Sequence, residues 1–172
     1  SEDMSGIMDT TLRDGEQTSG VALSQQVKLG IAKFLLSELG VDRIEIASAR
    51  VSEGELQTVK KITEWADKAG FLPKIEVLGF VDGETSLNWI ESVGGKVINL
   101  LTKGSLRHVT EQLRKTPQAH IDDIKRAIDL AHKKNISVNL YLEDWSNGMK
   151  NSPSYVFDMV DALCGEGVNR FM

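Results

Sequence analysis

Segments with strand-like and helix-like patterns alternate along the whole chain. Runs rich in β-branched and other apolar residues predict six strands, at residues 6–12, 41–47, 74–80, 96–102, 136–144 and 168–172. The segments between them place apolar residues three and four positions apart, which is the spacing of one helical face. An unbroken strand–helix order predicts an α/β protein, in which helices cover a parallel sheet.

Helix start signals support this order. Ser24 precedes a predicted helix that runs to about Leu39, and Thr116 followed by Pro117 opens another. The buried faces that the spacing predicts are Val27, Ile31, Phe34 and Leu35 in the first helix, and Ile121, Ile124, Ile128 and Ala131 in the helix after Thr116.

Two architectures have this order, an open doubly wound sheet and a closed (β/α)8 barrel. A complete barrel takes about 250 residues, whereas the 172 residues here hold five strand–helix units and the start of a sixth strand. The chain is therefore read as either an open sheet or part of a barrel. We interpret residues 1–5 as a leader or expression remnant and residues 6–172 as one domain, because no linker or low-complexity segment interrupts them.

Composition excludes several function classes. The 20 Lys and Arg are scattered among 25 Asp and Glu without a basic run, which argues against nucleic-acid binding. No apolar run reaches the roughly 18 residues of a membrane span. The single cysteine, Cys164, allows no internal disulfide, so a reducing, cytoplasmic compartment is expected.

Polar residues collect where the predicted strands end. The C-terminal ends of parallel strands form one rim in both architectures, and ligands bind there. That rim combines four charged residues with three apolar ones: Arg13, Asp14, Glu143 and Asp144, with Leu78, Leu101 and Tyr141.

These residue types suit a small anionic substrate. Asp14 offers hard oxygen ligands for a divalent cation. Arg13 can bind a carboxylate or stabilise an oxyanion, and Glu143, which has apolar neighbours, can act as a base. The alternative is that all three are charges on solvated loops.

The histidines and the cysteine carry no site pattern. His108, His120 and His132 form neither an His-x-His nor an His-x-x-x-His pair, so surface positions on helices are expected. Cys164 is expected to be a small packing residue near a helix end. No GxGxxG follows a strand, which disfavours a dinucleotide-binding fold.

The segment DTTLRDGEQ (9–17) resembles the signature of the DRE-TIM metallolyases, a TIM-barrel superfamily. The superfamily includes isopropylmalate, homocitrate and citramalate synthases and hydroxymethylglutaryl-CoA lyase. Three further segments are similar to the citramalate synthase branch and to related isopropylmalate synthases: VDRIEIASARVSEGEL, INLLTKGS and NLYLEDWSNG. The resemblance extends from about residue 6 to the end of the chain, and it implies an incomplete TIM barrel.

The resemblance also implies a reaction and a site. Such enzymes condense the methyl carbon of acetyl-CoA with the keto carbon of an α-keto acid, and then hydrolyse the thioester to release CoA. Asp14 would bind a divalent metal ion (Mg, Mn or Zn), Arg13 would stabilise the oxygen that becomes an alkoxide, and Glu143 would be the base. The alkyl group of the keto acid would be bordered by Leu78, Leu101 and Tyr141, whose bulk favours pyruvate over 2-ketoisovalerate.

The remaining metal ligands in this family are two histidines in an His-x-His pair on a later strand. No position here matches them, so we expect this polypeptide to be inactive alone. The parent is expected to be a cytoplasmic homodimer of leucine or isoleucine biosynthesis, acting on an α-keto acid and acetyl-CoA. Two alternatives stay open: a non-catalytic half-barrel that serves as an interaction module, and a lyase that runs the reverse bond chemistry.

Overall fold

The computed structural model describes residues 8–9, 12–13, 24–49 and 53–172. Within them the strands are β1 (Met8–Asp9), β2 (Arg43–Ser48), β3 (Ile75–Phe80), β4 (Val97–Lys103), β5 (Ser137–Glu143) and β6 (Arg170–Phe171). The helices are α1 (Gln25–Lys33), α2 (Glu53–Ala69), α3 (Thr85–Ser92), α4 (Pro117–Lys133), α5 (Trp145–Asn151) and α6 (Pro153–Cys164). The predicted strand–helix alternation is confirmed. Strand β1 ends earlier than predicted, because Leu12 and Arg13 are already helical.

The chain divides into two compact units, of which the first comprises Ser1–Leu78 and Trp89–Val97. Its strands lie in the order β1-β2-β3 and are parallel, with Met8 opposite Arg43 and Ile44 opposite Ile75. Helix α2 packs on α1 and on β2. The core between these layers consists of fully buried aliphatic side chains, including Ile44, Ile62, Ile75 and Val77.

The predicted buried face of the first helix is confirmed at Leu35 and wrong at Val27 and Phe34, which are about half exposed. The buried side chains are Lys28, Ala32, Leu35 and Leu36. A turn of π-helix over Phe34–Glu38 follows α1. Lys28 can be buried because its ammonium group pairs with Glu55 of α2.

The second unit comprises Gly79–Asn88 and Ile98–Met172. Its strands lie in the order β4-β5-β6, and Asn139 of β5 is opposite Arg170 of the parallel strand β6. Helix α4 packs against β5 and α6. The predicted cap and buried face of α4 are confirmed, because the Ala119 N–H donates to Thr116 Oγ1 (3.1 Å) and the buried side chains include Ile121, Ile124, Ile128 and Ala131.

Among the described residues, no helix combines the length and the apolar character that crossing a bilayer requires.

Candidate functional site

Strands β4 and β5 present matched pairs of side chains on one face. The side chain of Asn139 donates to that of Asn99 (2.9 Å), and both are buried. Because alternate residues of a strand share a face, the next positions on this face are Leu101 and Tyr141. The register holds along the pair of strands, since Thr102 Oγ1 donates to the Tyr141 carbonyl (2.9 Å).

The last pair on this face is ionic. The ammonium group of Lys103 pairs with Oε2 of Glu143, and the two side chains are 19% and 40% exposed. The predicted base therefore has a cation beside it instead of the apolar neighbours that the sequence indicates. The structure brings three predicted residues, Leu101, Tyr141 and Glu143, onto one face at the C-terminal end of β5 and its neighbour.

The backbone of Lys103 is held on both sides. Its N–H donates to Nε2 of His120 (3.1 Å), and its carbonyl accepts from the hydroxyl of Tyr155 (2.8 Å). His120 is buried, which corrects the prediction of a surface histidine. Burial lowers the pKa of His120 to about 4 and raises the pKa of Tyr155 above its usual range. His120 is therefore neutral at pH 7 and can accept this hydrogen bond.

Asp144 is the single residue that connects β5 to helix α5. Its backbone is left-handed (φ 65°), and its carboxylate accepts from Ser105 Oγ (2.8 Å) and Asn147 Nδ2 (2.7 Å). His108 Nε2 lies 3.3 Å from the same carboxylate. These contacts, the Ser105 hydrogen bond first, hold the pKa of Asp144 below its usual value. Asp144 is thus a structural acceptor as well as a rim residue.

A cavity of ≈410 Å³ lies beside Asp144. Its lining comes from Asp144 and from the segments that follow β4 and β5: Ser105, Leu106, Arg107, Thr110, Asn147, Asn151 and Ser152. The cavity is large enough for a small polar group.

Two glycines allow the segments that follow β4 and β5 to pack closely against each other. A Cβ on Gly104 would lie 2.9 Å from the Glu143 carbonyl oxygen, and a Cβ on Gly148 would lie 2.0 Å from the Gly104 carbonyl oxygen. The Gly104 N–H also donates to the Glu143 carbonyl (2.6 Å). The backbone around Glu143 is consequently fixed by contacts that only glycine permits at Gly148.

Arg13 lies in the first unit, where its guanidinium pairs with Glu45 of β2. The Arg13 and Glu45 side chains are 21% and 3% exposed. Glu45 lies opposite Glu76 of β3, and Glu76 contacts Arg43 at 3.5 Å. Neither Glu45 nor Lys103 was predicted as a site residue. The sequence signal that could have found them is a charged residue in an otherwise apolar strand: Glu45 lies within β2, and Lys103 ends β4.

The other predicted residues are placed as follows. Leu78 is half-buried and is the last residue of β3 that belongs to the first unit. Its carbonyl accepts a hydrogen bond from the Ala49 N–H (2.7 Å). Asp14 lies outside the described residues. Within the described part of the chain, no group of three or more His, Cys, Asp or Glu residues has a geometry that could hold a metal ion.

Cys164 is exposed, so its predicted packing role is wrong.

The profile of the family described as HMGL-like matches residues 5–172. The chain belongs to the HMGL-like family. This confirms the resemblance drawn from DTTLRDGEQ and the three further segments. The chain is similar to an (R)-citramalate synthase from Methanocaldococcus jannaschii, at 40% identity over 139 residues. A putative (R)-citramalate synthase from Methanopyrus kandleri is 33% identical over 165 residues, and a probable 2-isopropylmalate synthase from Ignicoccus hospitalis is 31% identical over 164.

These matches cover 80–95% of this chain but 27–39% of the relatives. The chain thus spans about a third of the length of these relatives.

Two solved structures show a likeness of fold. The hydroxymethylglutaryl-CoA lyase from Pseudomonas aeruginosa matches with a TM-score of 0.67 at 16% identity, over 96% of this chain and 56% of that protein. The lyase from Brucella melitensis matches with a TM-score of 0.64 at 18% identity, over 96% and 59%. The fold is therefore that of an incomplete TIM barrel, with five β/α units and a sixth strand, as the resemblance implied.

Proposed function

We propose that the protein containing this chain is an acyl-CoA-dependent α-keto acid synthase, which condenses acetyl-CoA with pyruvate and then hydrolyses the thioester. The relatives named as citramalate and isopropylmalate synthases support the reaction class. The observation that carries the proposal is the shared face of Leu101, Tyr141 and Glu143, because it puts a carboxylate beside two bulky side chains at a strand end.

The proposed first step is a proton transfer. Glu143 takes a proton from the methyl group of acetyl-CoA, and the electron pair left on that carbon attacks the keto carbon of the second substrate. The keto oxygen gains the negative charge, and the guanidinium of Arg13 stabilises it. The alkoxide is then protonated, in balance with the proton that Glu143 removed from the methyl group. Water adds to the acyl carbon, the carbon–sulfur bond breaks, and CoA leaves as the free thiol with a proton from that water.

Asp14 is proposed as a ligand of a divalent metal ion (Mg, Mn or Zn), on the resemblance alone. The residues that the structure describes supply no metal site, so the steps above use side chains only. The homodimeric state, the cytoplasmic location and the role in leucine or isoleucine biosynthesis are likewise proposals for the parent protein.

The choice of pyruvate follows from the bulk of two side chains. Leu101 and Tyr141 are bulky, and an isopropyl group beside them would overfill the site at a cost of about 1–3 kcal/mol. Such a pocket discriminates by roughly 10–200-fold between acids that differ by a methylene group or so. Leu101→Ala should shift the preference toward the branched acid.

The test uses the longest natural reading frame that contains this sequence. Purified protein is given acetyl-CoA with a panel of α-keto acids, and free thiol is followed. The expected result is a higher kcat/KM for pyruvate than for 2-ketoisovalerate. A preference for 2-ketoisovalerate would assign isopropylmalate synthesis. Cleavage of hydroxymethylglutaryl-CoA without condensation would assign a lyase, and no reaction at all would favour a non-catalytic module.

A further inference from the structure

We infer that Lys103 is a positioning residue for Glu143, an inference that rests on the proposed function of Glu143 as the base. Lys103 ends β4, Glu143 ends β5, and the two side chains form the last pair on the face that also carries Leu101 and Tyr141. The ion pair joins side chains at corresponding positions of two strands, so its geometry is set by the strand register.

The pair leaves one oxygen of the carboxylate for chemistry. Lys103 contacts Oε2 of Glu143, and in the described part of the chain Oε1 has no hydrogen-bond partner. A glutamate that is 40% exposed would otherwise sample several rotamers. The lysine thus selects one orientation, in which Oε1 is the oxygen that can receive the proton.

Lys103 is itself more firmly held than a surface lysine. Its N–H donates to His120 and its carbonyl accepts from Tyr155, so helices α4 and α6 fix its backbone. Its side chain is 19% exposed. By comparison, the side chain of Lys125 in the same unit is 37% exposed, and its Nζ lies 3.9 Å from Oε1 of Glu166. A fixed cation is what the orientation of Glu143 requires, because a small displacement of a reacting group is costly in rate.

The experiment compares Lys103→Met with Lys103→Arg in the longest natural reading frame. Lys125→Met is the matched control, because it also removes a lysine from a lysine–glutamate pair. Thiol release gives kcat and KM for pyruvate and acetyl-CoA. Acetyl-CoA with a trideuterated methyl group gives the isotope effect on proton removal. Circular dichroism checks folding, and Lys103→Gln replaces Lys103→Met if that variant is unfolded.

We expect Lys103→Met to lower kcat on the order of 10²-fold with little change in either KM. The isotope effect should rise, because removal of the methyl proton becomes the slow step. Lys103→Arg should recover part of the rate, since it keeps the cation with a different shape. Lys125→Met should leave kcat unchanged.

Three results would overturn the inference while the proposed function stands: an unchanged or raised kcat in Lys103→Met, a rise in KM alone, or an unaltered isotope effect. A rise in KM alone would make Lys103 a substrate-binding residue. If the folded, unmodified protein releases no thiol with any keto acid, the proposed function and the inference both fail.

Discussion

The two units of the chain use charge in different ways. In the first unit, Glu45 and Glu76 lie inside neighbouring strands and are 3% and 2% exposed. In the second unit, the corresponding interior positions hold the neutral pair Asn99 and Asn139, and an ion pair stands at the strand ends, where Glu143 is 40% exposed. Breaking a buried ion pair is strongly destabilising, whereas a partly exposed pair contributes little. The buried carboxylates Glu45 and Glu76 therefore contribute to stability, and the second arrangement leaves its charges available for chemistry.

The largest expected effect is in the first unit. Glu45→Ala should lower the free energy of unfolding by about 3–5 kcal/mol, because it removes the buried carboxylate with which the guanidinium of Arg13 pairs. Urea denaturation followed by circular dichroism measures this change. Glu143→Ala is the matched control in the second unit. Equal losses for the two variants would contradict the comparison.

The next effect concerns the histidine that supports the second unit. The pKa of His120 falls from its ordinary value of 6.5 to about 4 on burial. Between these two pH values the unfolded chain binds a proton that the folded chain does not, so stability falls as pH falls. The loss between pH 7 and pH 4 should be about 3 kcal/mol from this group.

His120→Gln separates this effect from other titrations. Glutamine offers a carbonyl oxygen near the position of Nε2, so it can accept from the Lys103 N–H without binding a proton. The unfolding free energy of the variant relative to that of the unmodified chain should therefore rise as pH falls from 6.5 to 4, by about the amount that His120 loses. A constant difference over that range would show that His120 does not titrate as a buried group.

Part of the fold and of the candidate site could be predicted from the sequence, and part could not. Periodicity predicted the strand–helix order and the buried face of α4, because those features depend on local spacing. Periodicity assigns a residue to a face but gives no register between strands, so the pairing of Lys103 with Glu143 was not predicted. Burial of His120 and Lys28 depends on partners far along the chain, which local patterns do not contain.

A third prediction concerns the close packing of the segments at Gly104 and Gly148, which surround Glu143. Gly148→Ala should cost about 1–3 kcal/mol, because its Cβ would lie 2.0 Å from the Gly104 carbonyl oxygen and the two segments would have to separate. Thermal or urea unfolding measures the loss. Gly30→Ala in α1 is the control from the first unit, since nothing lies within 4 Å of a Cβ there. That helical substitution should stabilise by roughly 0.5–1 kcal/mol, and a similar gain at Gly148 would rule out the close packing.

The smallest expected change in stability comes from the residue with the largest proposed role in chemistry. Glu143→Gln keeps the shape of the side chain and removes the basic oxygen, so the ion pair with Lys103 becomes at most a neutral hydrogen bond. Because an exposed pair contributes about 0.2–1 kcal/mol, the free energy of unfolding should fall by no more than that. Condensation should fall by roughly 10²–10⁴-fold, which is the usual contribution of a general base, while keto-acid binding by calorimetry is retained. A loss of several kcal/mol would mean that charge in the second unit is structural too. A full condensation rate would move the base elsewhere, and Asp144 would be a poor substitute, since hydrogen bonds from Ser105 and Asn147 lower the pKa of its carboxyl.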